Sequence, residues 1–295
     1  MTSPVQTLFK APRGIWLDYI DYAKQLFSSS NQNIFQNSAL LISTYSQAQG
    51  LLKSDVIHLS VDQIYSAWID THPEDVKSWY GKRLTFALKK LLAMEEPRNI
   101  LVDMINGLAQ LNRDAKPFAL NIGSPQYWLQ KMSGIIRPNE EQVIGNEDID
   151  SAAMYLSDFL RAFSTSGISA IVIQEVNDPS VGLQEALELY QPVLNLAKHY
   201  QWATGLSLPD ASSRWEGYET QVDFTLFGGE SISCLQSLQS KSTTIGGGLN
   251  EDFWNRKENL DKKSIPQGVL FGKIPQNANP ETVLELLNQI RQLVR

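Results

Sequence analysis

The chain has 295 residues, 42% hydrophobic and 19% charged, with 25 basic against 32 acidic side chains and a net charge of −7. That composition excludes a disordered chain. At this length about three quarters of the unfolded surface can be buried, so no disulfide or metal staple is needed.

No Lys/Arg cluster stands out against the acidic field, so nucleic acid and anionic membrane surfaces are not expected partners. One cysteine, Cys234, and three separated histidines, His58, His72 and His199, cannot assemble a Cys/His zinc cluster. Residues 1–10 lack the basic-then-apolar pattern of a signal peptide. No stretch approaches the ~20 apolar residues of a membrane-spanning helix, so a cytoplasmic setting is expected.

Short apolar runs alternate with helical patterns along the chain. Residues 14–16 and 56–60 read as strands. A helix is predicted over 73–94, where Val76, Trp79, Tyr80, Leu84, Ala87, Leu88 and Leu91 recur near a 3.6 period, and another over 99–111. Residues 117–122 read as a buried strand. Ser124-Pro125 then opens a helix with an N-cap and a proline at the first position. A helix over 148–164 leads to the strongest strand, 168–176. A helix over 183–200 follows, then strands at 202–208 and 222–227 and a short helix at 231–240. The last strands are predicted at 242–245 and 268–274, before a terminal helix over 280–295 capped by Asn279.

Eight strands, mostly separated by helices, argue for a parallel sheet with helical crossovers. The expected fold is an α/β (β/α)8 TIM barrel, a single domain over residues 1–295 with an N-terminal helical extension and insertions. A doubly wound open sheet is the alternative. Gly246-Gly247-Gly248 lacks the spacing of a dinucleotide-binding turn, and there is no Walker loop.

Residues 269–283 run Val-Leu-Phe-Gly-Lys-Ile-Pro-Gln-Asn-Ala-Asn-Pro-Glu-Thr-Val. This segment resembles the end of uroporphyrinogen decarboxylase, where a strand with Gly-His-Gly precedes a proline and a helix start. Residues 12–16, 54–62, 118–129 and 168–177 resemble, in the same order, that family's first strands and its Gly-x-Pro and Trp region. The resemblance spans about residues 11–295 and implies a barrel of the superfamily that includes cobalamin-independent methionine synthase. Gly272-Lys273 replaces the Gly-His-Gly, and Arg13 alone remains of the arginine-rich first loop. A tetra-acid porphyrin is therefore not the expected substrate. The methyltransferase branch holds zinc through His-x-Cys and a later Cys, and Cys234 alone cannot do so.

A barrel places its active site at the C-terminal strand ends. On the second strand His58, Ser60 and Asp62 share parity. His58 is a candidate general base with Asp62 as its orienter. Glu175 shares parity with Ile171 and Ile173, and is expected to point inward as a desolvated acid or base. Asn121 suits holding an oxyanion, whereas Ser124 reads first as a helix cap. Arg13 and Lys273 suit an anionic substrate group. Trp16, Trp128 and Trp254 fall near strand ends or the loops after them, where aromatic walls favour flat substrates.

The expected catalytic residues are thus His58, Glu175 and Asp62. The expected substrate-binding residues are Arg13, Trp16, Asn121, Trp128, Lys273 and Trp254. Neither metal nor cofactor is called for. The expected function is a cofactor-independent oxygenase or decarboxylase (lyase) of aromatic catabolism, forming a carbanion on a small aromatic or heterocyclic, for example indole-type, substrate. Two alternatives stand beside it: a corrinoid- or folate-linked methyltransferase or demethylase of the same superfamily, and a non-catalytic barrel. Analogy with related barrels implies a homodimer.

Overall fold

The computed structural model describes residues 3–10, 14–28, 33–112, 116–140, 143–210, 221–239, 244–257 and 268–294. The chain begins with α1 (Pro4–Lys10), β1 (Gly14–Asp18), α2 (Ile20–Phe27), α3 (Ser38–Leu52) and β2 (Ile57–Ser60). Then come α4 (Val61–Thr71), α5 (Pro73–Lys77), α6 (Leu84–Leu92), α7 (Glu95–Leu111), β3 (Phe118–Gly123), α8 (Pro125–Ile136) and α9 (Asn146–Leu160). Next are β4 (Ala170–Gln174), α10 (Leu183–Leu189), α11 (Gln191–His199), β5 (Ala203–Leu208) and β6 (Phe224–Ser231). The chain finishes with α12 (Ile232–Gln239), β7 (Ile245–Gly248), α13 (Glu251–Trp254), β8 (Val269–Lys273) and α14 (Pro280–Val294).

All eight strands are parallel, paired in the order β1-β8-β7-β6-β5-β4-β3-β2. This is the (β/α)8 barrel, closed by ladders everywhere except between β1 and β2. Side chains bridge that seam. Asp55 takes Ile15 N–H on Oδ2 at 2.8 Å and gives its own N–H to Ile15 O at 2.7 Å. Leu17 N–H reaches Ser54 Oγ at 3.0 Å. Higher up, the Tyr45 hydroxyl takes His58 N–H and donates to His58 O, both at 2.8 Å. One hydroxyl thereby satisfies the two backbone groups that a neighbouring strand would otherwise engage.

Alternation along each strand separates two cores. Ile15, Leu17, Leu59, Leu120, Ile171, Ile173 and Leu206 face the helices. Trp16, Val56, Ala119, Ala170, Val172, Ala203, Phe224, Leu226, Val269 and Phe271 face the lumen, with Val5 and Phe9 of α1 packed against them. Phe9 stacks on Phe224 at 5.1 Å, so α1 plugs the N-terminal end of the barrel. Gly205 makes room for that aromatic layer, because a Cβ there would lie 2.1 Å from the Phe224 ring.

Several expected boundaries move. The predicted helix over 73–94 splits into α5 and α6 at Gly81, whose φ of +71° an ordinary side chain disfavours. The helix over 183–200 splits at Tyr190, ahead of Pro192. The seventh strand lies at 245–248 rather than 242–245, so the glycine triplet is strand. A Cβ on Gly247 would meet Phe227 O at 2.7 Å, which gives this close backbone approach a reason to be glycine. The expected caps are present: Tyr127 N–H bonds Ser124 Oγ at 3.0 Å, and Thr282 N–H bonds Asn279 Oδ1 at 3.1 Å. Among the described residues, no helix is long and apolar enough to cross a membrane.

Candidate active site at the barrel mouth

The lumen changes character at its C-terminal end. Below lie Trp16, Ala119, Val172, Leu226 and Phe271. Above them, on the same strand faces, come Asp18, His58, Ser60, Asn121, Gln174, Ser207 and Lys273. His58, Ser60 and Asn121 are buried, while Asp18, Gln174 and Ser207 are half-buried and Lys273 stands at the rim. Polar side chains from six strands thus crown an apolar floor, at the end where this fold places its chemistry.

His58 is held on all sides. Tyr45 fixes its backbone, and the Trp16 indole N–H donates to its Nδ1 at 3.2 Å. An indole nitrogen can only donate, so Nδ1 must remain an acceptor. The neutral ring therefore carries its proton on Nε2, with Asp18 Oδ2 4.0 Å away. Burial lowers the His58 pKa and Lys273 adds to that, with Asp18 opposing. The ring is thus a neutral donor at pH 7. Using it as a base through Nε2 would require the opposite tautomer and set Nδ1–H against Trp16 N–H. The expectation of Asp62 as the orienter of His58 is corrected, and the arrangement favours His58 as a donor.

Asp62 is not on the strand. β2 ends at Ser60, and Asp62 sits in the first turn of α4, paired with Lys131 and accepting from Ser66 Oγ at 3.3 Å. The carboxylate beside His58 is Asp18, at the end of a β1 two residues longer than predicted.

Glu175 does not face the lumen, and its expected inward orientation is corrected. Ala170, Val172 and Gln174 hold that face, while Ile171 and Ile173 pack against helices. Glu175 Oε1 accepts from Tyr190 Oη at 2.8 Å. Gln126 Nε2 donates to Tyr190 Oη at 3.1 Å, and Gln126 Oε1 accepts from Ser180 and Val181 N–H at 2.8 and 3.2 Å. Burial pushes the Glu175 pKa up, against hydrogen bonds from Tyr190, Ser124 and Val176. This network ties the loop after β4 to the helix layer.

Asn121 is in the mouth, its Nδ2 donating to Gln174 Oε1 at 3.0 Å. Trp16 is fully buried in the floor, against His58, Phe224 and Phe271. Lys273 ends β8 and binds Asp21 Oδ2 at 2.6 Å. Burial works to lower its pKa, but Asp18, Asp21 and Asp62 raise it more, so it stays an ammonium. Trp128 is fully buried on α8, edge-on to Tyr65 and Tyr127, and serves packing. Trp254 caps its own helix, donating to Leu249 O at 3.0 Å. Both are corrected from substrate wall to core. Arg13 lies outside the described residues.

Sequence reading missed Asp18, Gln174 and Ser207. Their signal was parity: Asp18 with Trp16, Gln174 with Val172, and Ser207 with Gly205. Zinc does not fit this site. No group of three His, Cys, Asp or Glu among the described residues is placed to hold a metal. Cys234 lies on α12 with its thiol pushed up to about 11 by burial and by Glu230.

No family model matches the chain, and no curated protein does. A solved structure does. The fold is similar to that of a methyltransferase from Methanosarcina mazei, over 100% of both chains, with a TM-score of 0.66 and 10% identity. At that identity the likeness is one of fold. It agrees with the barrel implied by the resemblance to the uroporphyrinogen decarboxylase and methionine synthase superfamily.

Proposed function

We propose that this barrel is an enzyme of methyl transfer that binds a small molecule in the polar crown of its mouth. The observation that carries the reading is the crown itself. Seven polar side chains converge at the C-terminal end of a lumen that is otherwise apolar, around a histidine held as a fixed donor. The full-length fold likeness to a methyltransferase supports this choice over the oxygenase or decarboxylase reading. The two bases expected for that reading are also otherwise engaged, His58 as a donor and Glu175 toward the helices.

In methyl transfer the methyl group leaves its donor without the bonding pair and joins the lone pair of an acceptor, which then loses a proton. Asp18 is placed to take that proton. His58 Nε2–H is placed to bind a heteroatom carrying growing negative charge. Methylcobalamin and methyltetrahydrofolate are the donors that the superfamily resemblance implies.

The test is transfer of a 13C-methyl group from either donor to amine and thiol acceptors, followed by NMR, with oxygen and carbon dioxide monitored together. Methyl transfer that is lost in Asp18→Asn and His58→Phe supports the proposal. Oxygen uptake or carbon dioxide release without methyl transfer would overturn it.

A further inference from the structure

The charges at the mouth do not balance. Lys273 binds Asp21 and also lies within electrostatic reach of Asp18 and Asp62, while Lys131 pairs with Asp62. Among the described residues three carboxylates therefore face two ammonium groups; Asp18 acts on Lys273 through its charge but makes no contact ion pair with it. Its Oδ2 is 4.0 Å from His58 Nε2, too far for a hydrogen bond. Its Oδ1 is shut off from solvent and accepts no hydrogen bond among the described residues.

A second, independent acceptor lies two strands away. Asn121 is only 6% exposed and faces the lumen, and its Oδ1 likewise has no donor. Its own Nδ2 is committed to Gln174, which fixes the amide with oxygen as the free end. A buried carboxylate or amide oxygen without a donor costs about 1–3 kcal/mol, so two of them in one mouth call for a donor that the described residues do not supply. Neighbouring strands lie about 4.8 Å apart, which puts β1 and β3 on the order of 10 Å from each other. That span suits a small ligand with a hydrogen bond at either end. His58 Nε2–H adds one donor for an oxygen on the ligand.

We infer that the mouth binds a small organic cation that carries N–H donors, a primary or secondary ammonium, with an oxygen acceptor a few bonds away. Asp18 neutralises the charge at one end, and at the other a ligand hydroxyl donates to Asn121 Oδ1 and accepts from His58 Nε2–H. This rests on the proposed site and names what it holds: the ammonium first gives a proton to Asp18, and the nitrogen lone pair so freed takes the methyl that leaves its donor without the bonding pair.

The test is calorimetric binding at pH 7 with three probes of similar size. Ethanolamine is a cation with N–H donors, choline is a cation without them, and ethylene glycol is neutral. Ethanolamine is expected to bind at least tenfold more tightly than either of the others. Asp18→Asn should remove most of that preference, and Asn121→Ala should weaken ethanolamine several-fold. Circular dichroism and the melting transition verify that both variants fold, and His58 Nε2–H in 15N-edited NMR should shift with ethanolamine in the wild type. Equal binding of the three probes, no binding of ethanolamine, or affinity unchanged in folded Asp18→Asn would each overturn the inference. Ethanolamine binding without methyl transfer would leave the inference standing and count against the proposed function. Methyl transfer to thiols alone, with ethanolamine unbound, would do the reverse.

Discussion

The two ends of this barrel are finished in opposite ways. At the N-terminal end every described carboxylate is put to structural use. Asp55 accepts Ile15 N–H across the β1–β2 seam. Asp223 Oδ2 accepts the N–H and hydroxyl of Thr204 at 2.7 and 3.1 Å, while its Oδ1 accepts from Gln6 at 2.6 Å. A groove of about 750 Å³ opens there, beside α1, α11 and the starts of β5 and β6. The acid that lines it, Asp223, is fully engaged. At the C-terminal end Asp18 and Asn121 each hold a buried oxygen that accepts no hydrogen bond among the described residues. Unsatisfied groups, rather than room, distinguish the end that acts from the end that holds.

If that contrast is right, substitutions at the two ends should separate stability from activity. The largest stability loss is expected for Phe9→Ala, which removes the ring stacked on Phe224 and opens the lumen floor. It should cost about 3 kcal/mol or more in urea unfolding. Asp223→Ala strips three hydrogen bonds from one acceptor and leaves Thr204 N–H without a partner. A loss of about 2 kcal/mol is expected. Asp18→Asn should behave in the opposite manner. Its stability should stay within about 1 kcal/mol of the parent, since no hydrogen bond to its side chain is lost, while methyl transfer falls by about a hundredfold. A strongly destabilised Asp18→Asn, or a fully active one, would erase the distinction between the ends.

Glu175 sharpens the comparison from the side. It is as buried as the mouth residues, yet it faces the helices. Its folded-state pKa is raised, so its contribution to stability is full below the unfolded value near 4.5 and is lost as pH rises through the folded value. Glutamine keeps an oxygen for Tyr190 and removes the titration. Glu175→Gln should therefore be the more stable protein at pH 7, by about 1 kcal/mol, with the gap closing toward pH 4. Its activity should be retained. Loss of turnover with stability intact would return Glu175 to the catalytic group.

The barrel was legible because its signal is repeated. Eight apolar runs, each followed by a helix pattern or a turn, survive errors of two or three residues at any boundary. The site was less legible because parity is unforgiving: a one-residue difference in where a strand face is counted exchanged Gln174 for Glu175. Asp62 was misplaced for a related reason. The β-prone run 56–60 passes directly into α4, and no glycine or proline marks the change. Trp128 and Trp254 lie near strand ends in sequence, but helices bury both, and nothing in a tryptophan's identity tells a wall from a core. What no local pattern carried was the seam. Tyr45, Ser54 and Asp55 replace a ladder between β1 and β2, and that arrangement exists only once the barrel has closed.

The seam also yields the smallest effect, a slope rather than a loss. His58 has a depressed folded-state pKa, so its contribution to stability is full above about pH 6.5 and is lost as pH falls through the lower folded value. Stability should therefore decline on acidification from pH 6.5 even before most carboxylates titrate. The Trp16 N–H points at Nδ1 and would oppose a proton there, in the same direction as burial. Trp16→Phe removes that donor while keeping an aromatic ring in the floor. In this variant the His58 pKa measured by 15N NMR should rise, the decline below pH 6.5 should flatten, and the Nδ1–H tautomer should become populated. The absolute stability of the variant is immaterial to the comparison, because the slope is read against its own value at pH 8. A His58 that already titrates near 6.5 in the parent, or that shows Nδ1–H there, would mean the mouth contains a free base. Carbanion chemistry would then regain the histidine base expected for it.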